Sequence, residues 1–222
     1  MPVTVAVREC NCTHPIAVVS RGHHNFECDR ILIERHARRV SKRLLASGWD
    51  VVYLEDPTLA DILDAASAPC VEGLYLTGHG SEELLSTPEG DRPVCLDNKV
   101  GVRIQGTEIA ESISFRTILE ELRSRDHELS WFSSATCCQD GDELAEYYEG
   151  PILLPTPDSN GLVRNGQAER DLDLGRLTPD CREEVSPGTL TCPPGIDCWQ
   201  VPDIPPSSIC NPPTLAGGED RV

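Results

Sequence analysis

The feature that most constrains the fold of this chain is a regular alternation of short apolar segments with longer amphipathic ones between residues 16 and 154. The apolar segments have the length and residue content of buried strands; they are 16–19, 49–54, 71–77, 129–135 and 151–154. The segments between them carry apolar residues at helical spacing; they are 29–48, 56–67, 112–125 and 142–148. Because strands alternate with helices, the sequence predicts an α/β fold, a three-layer αβα sandwich with a mainly parallel sheet.

Two parts of the chain interrupt this alternation. Residues 81–110 contain several glycines and prolines around two short extended pieces, and we expect a hairpin or a long surface loop there. Residues 178–222 hold nine of the 18 prolines and four of the 11 cysteines, without any regular hydrophobic period. The sequence therefore predicts one domain over residues 1–177 and a Pro- and Cys-rich tail, irregular or disordered, over residues 178–222.

Charge and hydropathy exclude some partners and compartments. The 19 basic residues are outnumbered by 37 acidic ones, so the formal net charge of -18 argues against nucleic acid as a partner. No apolar run has the length of a membrane span or of a secretory signal, which predicts a cytoplasmic protein. The 11 cysteines are many for a reduced compartment and conflict with that expectation.

Candidate chemistry follows the ends of two predicted strands. Strand 71–77 runs into Gly78-His79-Gly80, and strand 129–135 runs into Thr136-Cys137-Cys138-Gln139-Asp140-Gly141. The carboxyl ends of parallel strands meet at one edge of a sheet, where α/β proteins bind their ligands. A thiol beside an imidazole can attack a carbonyl carbon, and the imidazole can then protonate the leaving group. The sequence thus predicts a Cys-His dyad, with the amides of Gly80 and Cys138 as an oxyanion hole.

At these two turns the chain resembles the caspase-like cysteine peptidases, and the metacaspases in particular. That family has a Ser/Thr-Gly-His-Gly turn after one strand, present here as Thr77-Gly-His79-Gly80, and a Cys-x-x-Gly turn after the next major strand. The resemblance extends over the layout of residues 16–152. It implies a caspase-like peptidase domain over residues 1–177, with Cys138 rather than Cys137 as nucleophile and His79 as its acid-base partner.

The resemblance also indicates where a peptide or protein substrate would bind. Its residue before the cleaved bond would lie near Thr136 and the loop 156–161, which includes Asp158. Metacaspases have an Asp at the position of Thr136, so a preference for Arg or Lys does not carry over. A non-catalytic caspase-like module, a pseudoenzyme or a CHAT-type interaction domain, is the alternative interpretation.

Metal sites have weaker signals than the dyad, and no metal or other cofactor is predicted. Cys10, Cys12 and His14 lack the Cys-x-x-Cys spacing of structural zinc sites, even if Cys28 or the His23-His24 pair is added. Calcium remains open at the acidic runs, as in some metacaspases, although no ligand spacing requires it. The four cysteines of the tail fit two disulfides, a zinc clip or free thiols equally well, and the oligomeric state is left open.

Overall fold

The structure is a computed structural model that describes residues 15–23, 27–78, 82–87, 90–95, 98–107, 109–136, 141–154 and 188–200. Its strands, in chain order, are β1 Ile16–Arg21, β2 Asp50–Glu55, β3 Val71–Thr77, β4 Glu82–Thr87, β5 Gly90–Cys95, β6 Lys99–Arg103, β7 Ala110–Ser114, β8 Trp131–Ala135, β9 Ile152–Leu153 and β10 Leu190–Thr191. Its helices are α1 Glu27–Ala46, α2 Leu59–Ala66, α3 Phe115–Ser124 and α4 Gly141–Ala145.

The central sheet has six strands in the order β10-β2-β1-β3-β8-β9. Every neighbouring pair in it is parallel. The pairs β4–β5 and β6–β7 form two separate antiparallel hairpins in the region predicted as a hairpin or long loop. The prediction of a mainly parallel α/β fold is confirmed.

Helices cover both faces of this sheet. On one face, Val40 and Leu44 of α1 pack with Val19 of β1 and Tyr53 of β2. On the other face, α2 and α3 pack with the alternate residues of the same strands, and Ile62, Phe115 and Ile118 are fully buried there. The period of two along each strand sends successive side chains to opposite cores, which produces the predicted three layers.

Local signals explain where the helices begin and end. The sequence predicts that Gly48 ends the first helix. Gly48 follows α1 with a φ of 93°, the left-handed conformation that ends many helices. The helix predicted from residue 56 begins instead at Leu59, because Thr58 and Asp61 form a capping box. The predicted helix 112–125 is also too long at its start: residues 110–114 form β7, and Ser114 caps α3 by accepting a hydrogen bond from the Thr117 amide.

Residues 188–200, here named the C-terminal strap, lie against the β2 edge of the sheet. Leu190 pairs with Val51 and Thr191 with Val52. A disulfide joins Cys192 to Cys198, which selects one of the alternatives that the sequence left open for these two cysteines. The strand β10 was not predicted, and the domain boundary at residue 178 stays a prediction.

None of the described helices combines the length and the hydropathy needed to cross a membrane.

Candidate active site

The strands that precede the two predicted turns are direct neighbours in the sheet. β3 and β8 pair in parallel from Gly73 opposite Trp131 to Thr77 opposite Ala135. Their last residues are therefore at the same height on the carboxyl edge, and both Thr77 and Thr136 are fully buried. The chain segments that carry the predicted nucleophile and base leave the sheet from adjacent positions.

A close contact between a glycine and an indole holds this pair of strands together. A Cβ atom at Gly73 would lie 2.1 Å from the Trp131 ring, so only glycine leaves room for the indole. Trp131 in turn meets Trp49 edge to face, with ring centroids 5.7 Å apart. On the opposite face, Phe132 packs edge to face with Phe115 at 5.2 Å. Both cores thus fix the position of β8 beside β3.

Four of the predicted site residues, His79, Gly80, Cys138 and Asp158, lie outside the described residues. The fifth, Thr136, follows β8 directly, is buried, and accepts a hydrogen bond from the Ser134 hydroxyl at 3.3 Å. The roles predicted for all five stay predictions. The described residues establish the structure that supports the two turns. The strands β3 and β8 are adjacent, they end at the same edge of the sheet, and Thr77 and Thr136 are buried there.

The β6–β7 hairpin closes the neighbouring part of this edge. The Gly22 amide donates to the Thr77 carbonyl at 2.7 Å, and the His23 amide donates to the Gly101 carbonyl at 3.2 Å. A Cβ atom at Gly22 would lie 2.7 Å from that Gly101 oxygen, so the crossing of the two backbones requires a glycine. The end of β1 is therefore pinned between β3 and β6.

Polar side chains missed by the sequence analysis also gather at this edge. Nδ1 of His23 lies 2.5 Å from Oδ1 of Asp56, and Nε of Arg103 lies 4.0 Å from Oδ2 of the same carboxylate. Asp56 has φ of 53°, an uncommon conformation that short polar residues tolerate better than most. The sequence offered one signal for this site: the Asp56-Pro57 dipeptide marks a turn directly after a strand, where a polar side chain can reach the edge of the sheet.

A buried ion cluster, Arg21, Glu34, Arg38 and Glu55, lies between α1 and the ends of β1 and β2. Arg38 donates to Glu34 at 3.0 and 2.6 Å, and Arg21 donates to Glu55 at 3.3 Å. The Arg38 guanidinium also lies over the Tyr53 ring, 5.4 Å from its centroid. Burial raises the pKa of the Tyr53 phenol far above its ordinary value, although Arg38 opposes that shift. The balanced charges make this cluster a structural unit.

The described residues contain no group of three or more potential metal ligands. Of the residues considered for zinc, Cys10, Cys12, His14 and His24 lie outside the described residues, as does the Cys28 side chain. His23 is bonded to Asp56. Among the described residues, Cys70, Cys192 and Cys198 are disulfide-bonded, and Cys192 and Cys198 are joined to each other.

No protein-family model matches the sequence, and no curated protein matches it significantly. The likeness to caspase-like peptidases therefore rests on the two turn motifs and their place after neighbouring strands.

Proposed function

We propose that this protein is a cysteine endopeptidase that hydrolyses peptide bonds through the dyad of Cys138 and His79. The observation that carries the proposal is the register of β3 and β8, in which Thr77 lies opposite Ala135. His79 follows Thr77 by two positions and Cys138 follows Ala135 by three. Consecutive Cα atoms are about 3.8 Å apart, so both residues are tethered within a short reach of one edge.

The proposed reaction proceeds in two steps. The Cys138 thiolate attacks the scissile carbonyl carbon, and the imidazolium of His79 protonates the amine as the C–N bond breaks. A water molecule then attacks the thioester carbon and transfers a proton to His79; the C–S bond breaks, Cys138 leaves as the thiolate, and the product is released as a carboxylic acid that ionises in water. The amides of Gly80 and Cys138 stabilise the oxyanion in both steps, and one such donor is typically worth about 3 kcal/mol.

The described frame suits this chemistry because catalytic groups need a rigid support. Thr77 and Thr136 are fully buried, and the Gly22 amide holds the Thr77 carbonyl at 2.7 Å. β8 is also packed from two sides by aromatic contacts of Trp131 and Phe132. Loops that extend from such a fixed edge are the usual carriers of catalytic residues.

The test is covalent labelling of the full chain with peptidyl electrophiles that carry Arg, Lys, Asp or a small residue at the terminal position. We expect an adduct on Cys138, mapped by mass spectrometry, that disappears in His79→Ala. Cys138→Ala should lower peptide turnover on the order of 10⁴-fold or more. Cys137→Ala is the matched control, since it removes the adjacent thiol and should retain labelling and turnover.

Two results would contradict the proposal. Labelling that maps to Cys137 or another thiol would move the nucleophile elsewhere. A folded protein that shows no adduct at Cys138 with any of the four peptides, and no turnover, would favour the non-catalytic caspase-like module.

A further inference from the structure

The C-terminal strap is attached to the rest of the molecule at two places, and the first is the edge of β2. The Val51 amide donates to the Thr189 carbonyl at 2.9 Å, and the Gly188 amide donates to the Leu45 carbonyl at 3.2 Å. The Thr189 amide donates to Oδ1 of Asp50 at 2.6 Å. This attachment satisfies a backbone donor that would otherwise lie open at a sheet edge.

The second attachment is on α1. The Arg38 guanidinium, part of the buried ion cluster, donates to the Asp197 carbonyl oxygen. Lys42 Nζ donates to the Trp199 carbonyl oxygen at 2.7 Å. Between these two bonds, the Cys198 side chain is only 2 % exposed and belongs to the core beneath α1. This end of the strap is thus inserted into the structure rather than laid on its surface.

The disulfide joins the two attachments. Cys192 directly follows β10, and Cys198 is the inserted residue; their Cα atoms are 6.2 Å apart. The connecting loop contains Pro193, Pro194 and Gly195, and Gly195 has φ of 82°. Because the bond ties the end of β10 to Cys198, an attachment that opens stays close to its partner, and re-forms readily, while the other attachment holds.

We propose that the Cys192–Cys198 disulfide is a redox-sensitive lock, and that its reduction by a dithiol releases residues 188–200 from β2 and α1. One thiolate of the dithiol attacks the Cys192 sulfur, and Cys198 leaves as a thiolate that takes up a proton. The second thiol of the reductant then displaces the Cys192 sulfur, which is protonated in turn. Two electrons and two protons pass to the protein, and the dithiol ends as its own cyclic disulfide.

Exposure decides which sulfur is attacked. Cys192 is half-buried and Cys198 is almost fully buried, so the reductant reaches the Cys192 sulfur. Reduction leaves two separate, weaker attachments. When they open, the Val51 amide and the Arg38 guanidinium lose their strap acceptors and become accessible to water.

The test is amide hydrogen exchange of the full chain, measured by mass spectrometry for wild type and Cys192→Ser. This variant breaks the bond yet keeps the buried Cys198 side chain. We expect exchange in residues 188–200 and at Val51 to rise about 10- to 100-fold, the range that the chain entropy of so short a loop provides. Exchange in β3 should not change.

Cys70→Ser is the matched control, because it removes a different disulfide by the same atom change. Relative to β3, it should leave exchange in the strap at the wild-type rate. Unchanged strap exchange in Cys192→Ser would overturn the proposal.

If Cys192→Ser also loses the protection of β3, wild-type protein titrated with dithiothreitol decides the question. Opening of residues 188–200 at lower reductant concentration than β3 supports the lock, and simultaneous loss overturns it.

Discussion

Two buried tyrosines lie on either side of Val19, Tyr53 on β2 and Tyr75 on β3, and their hydroxyl groups have different surroundings. Tyr53 and Tyr75 are each 1 % exposed and belong to the same core. The Tyr75 hydroxyl is hydrogen-bonded to Nε2 of the buried His36 at 2.7 Å. The Tyr53 hydroxyl has no hydrogen-bond partner within the described residues. A buried hydroxyl without a partner destabilises the fold, whereas a paired one does not.

Replacing each tyrosine by phenylalanine should therefore have opposite effects on stability. Tyr53→Phe keeps the ring beneath Arg38 and removes the unsatisfied hydroxyl, so the free energy of unfolding should stay equal or rise by up to about 1 kcal/mol. Tyr75→Phe removes a hydrogen-bond partner of His36 and should lower the free energy of unfolding by about 1–3 kcal/mol. Urea denaturation at pH 7 measures both. A larger loss in Tyr53→Phe than in Tyr75→Phe would contradict this assignment.

The raised pKa of Tyr53 adds a pH dependence of defined sign. In the unfolded chain a tyrosine loses its proton near pH 10, while the folded protein retains it on Tyr53. The unfolded state therefore binds fewer protons above about pH 10, and stability falls there by up to about 1.4 kcal/mol per pH unit from this group. Tyr53→Phe should show a shallower decline than wild type between pH 9 and 11.

At the scale of single residues, the sequence indicated candidate chemistry, whose roles stay predictions, but did not indicate side-chain contacts. His79 and Cys138 are predicted as a dyad because each follows a strand and precedes a glycine at a short distance. The pair of Arg21 and Glu55 was not predictable, since its members are 34 positions apart and charged residues are usually solvated. Only the parallel register of β1 with β2 brings them to the same height.

At the scale of elements, the contact between Gly73 and Trp131 determines how closely β3 and β8 can pair. Gly73→Ala should lower the free energy of unfolding by about 1–3 kcal/mol or more, because the added methyl overlaps the indole and the ring must move. Because the proposed dyad depends on the pairing of β3 with β8, Gly73→Ala should also weaken the labelling of Cys138. Denaturation curves and the labelling assay measure the two effects.

Gly101→Ala is the control for this substitution. Its Cβ atom would lie 3.6 Å from the His23 carbonyl oxygen, an ordinary contact, in a strand of the smaller β6–β7 hairpin. We expect its stability to stay within about 0.5 kcal/mol of wild type. Equal losses at the two glycines would show that overlap with Trp131 is not the cause.

Elements with a long hydrophobic pattern were predicted well, and their ends less well. β3 was predicted with its observed bounds, Val71–Thr77, because its apolar residues Leu74, Tyr75 and Leu76 lead into the predicted Gly78-His79-Gly80 turn. The start of α3 was missed because Ile113 fits both a helical and an alternating pattern, and pairing with Val100 across the hairpin decides for the strand. β10 has two residues, too few for any pattern.

At the scale of the whole molecule, the formal charge of -18 acts on the compact state as self-repulsion. Raising NaCl from 20 to 200 mM should therefore stabilise the folded protein by about 1 kcal/mol, or about 2–4 °C in Tm for a chain of this size. The effect should shrink at pH 5.5, closer to the sequence pI of about 4.6. Calorimetry at both pH values measures it, and a Tm that falls with salt would contradict it.

At this scale the fold class was predictable from the sequence, whereas the edge strand β10 of the central sheet was not. The alternation of strands and helices is a local pattern that can be read directly from residues 16–154 of the sequence. Where β10 pairs with β2, the Thr189 amide donates a hydrogen bond to the Asp50 side chain, 139 positions away. This pairing requires a glycine at position 188. A Cβ atom there would lie 1.7 Å from the Trp49 carbonyl oxygen. The need for glycine at position 188 therefore depends on the position of Trp49 in the folded structure, which the sequence does not give.

The distance along the chain between β2 and β10 has a consequence for biosynthesis. A ribosome makes β1, β2, β3 and β8 before the residues of the strap, so these parallel strands can assemble on the nascent chain first. Until residue 190 emerges, the β2 edge offers its free amide and carbonyl groups to any other extended polypeptide. Translation of the last part of the sequence is therefore the interval in which this protein is most exposed to mispairing and aggregation.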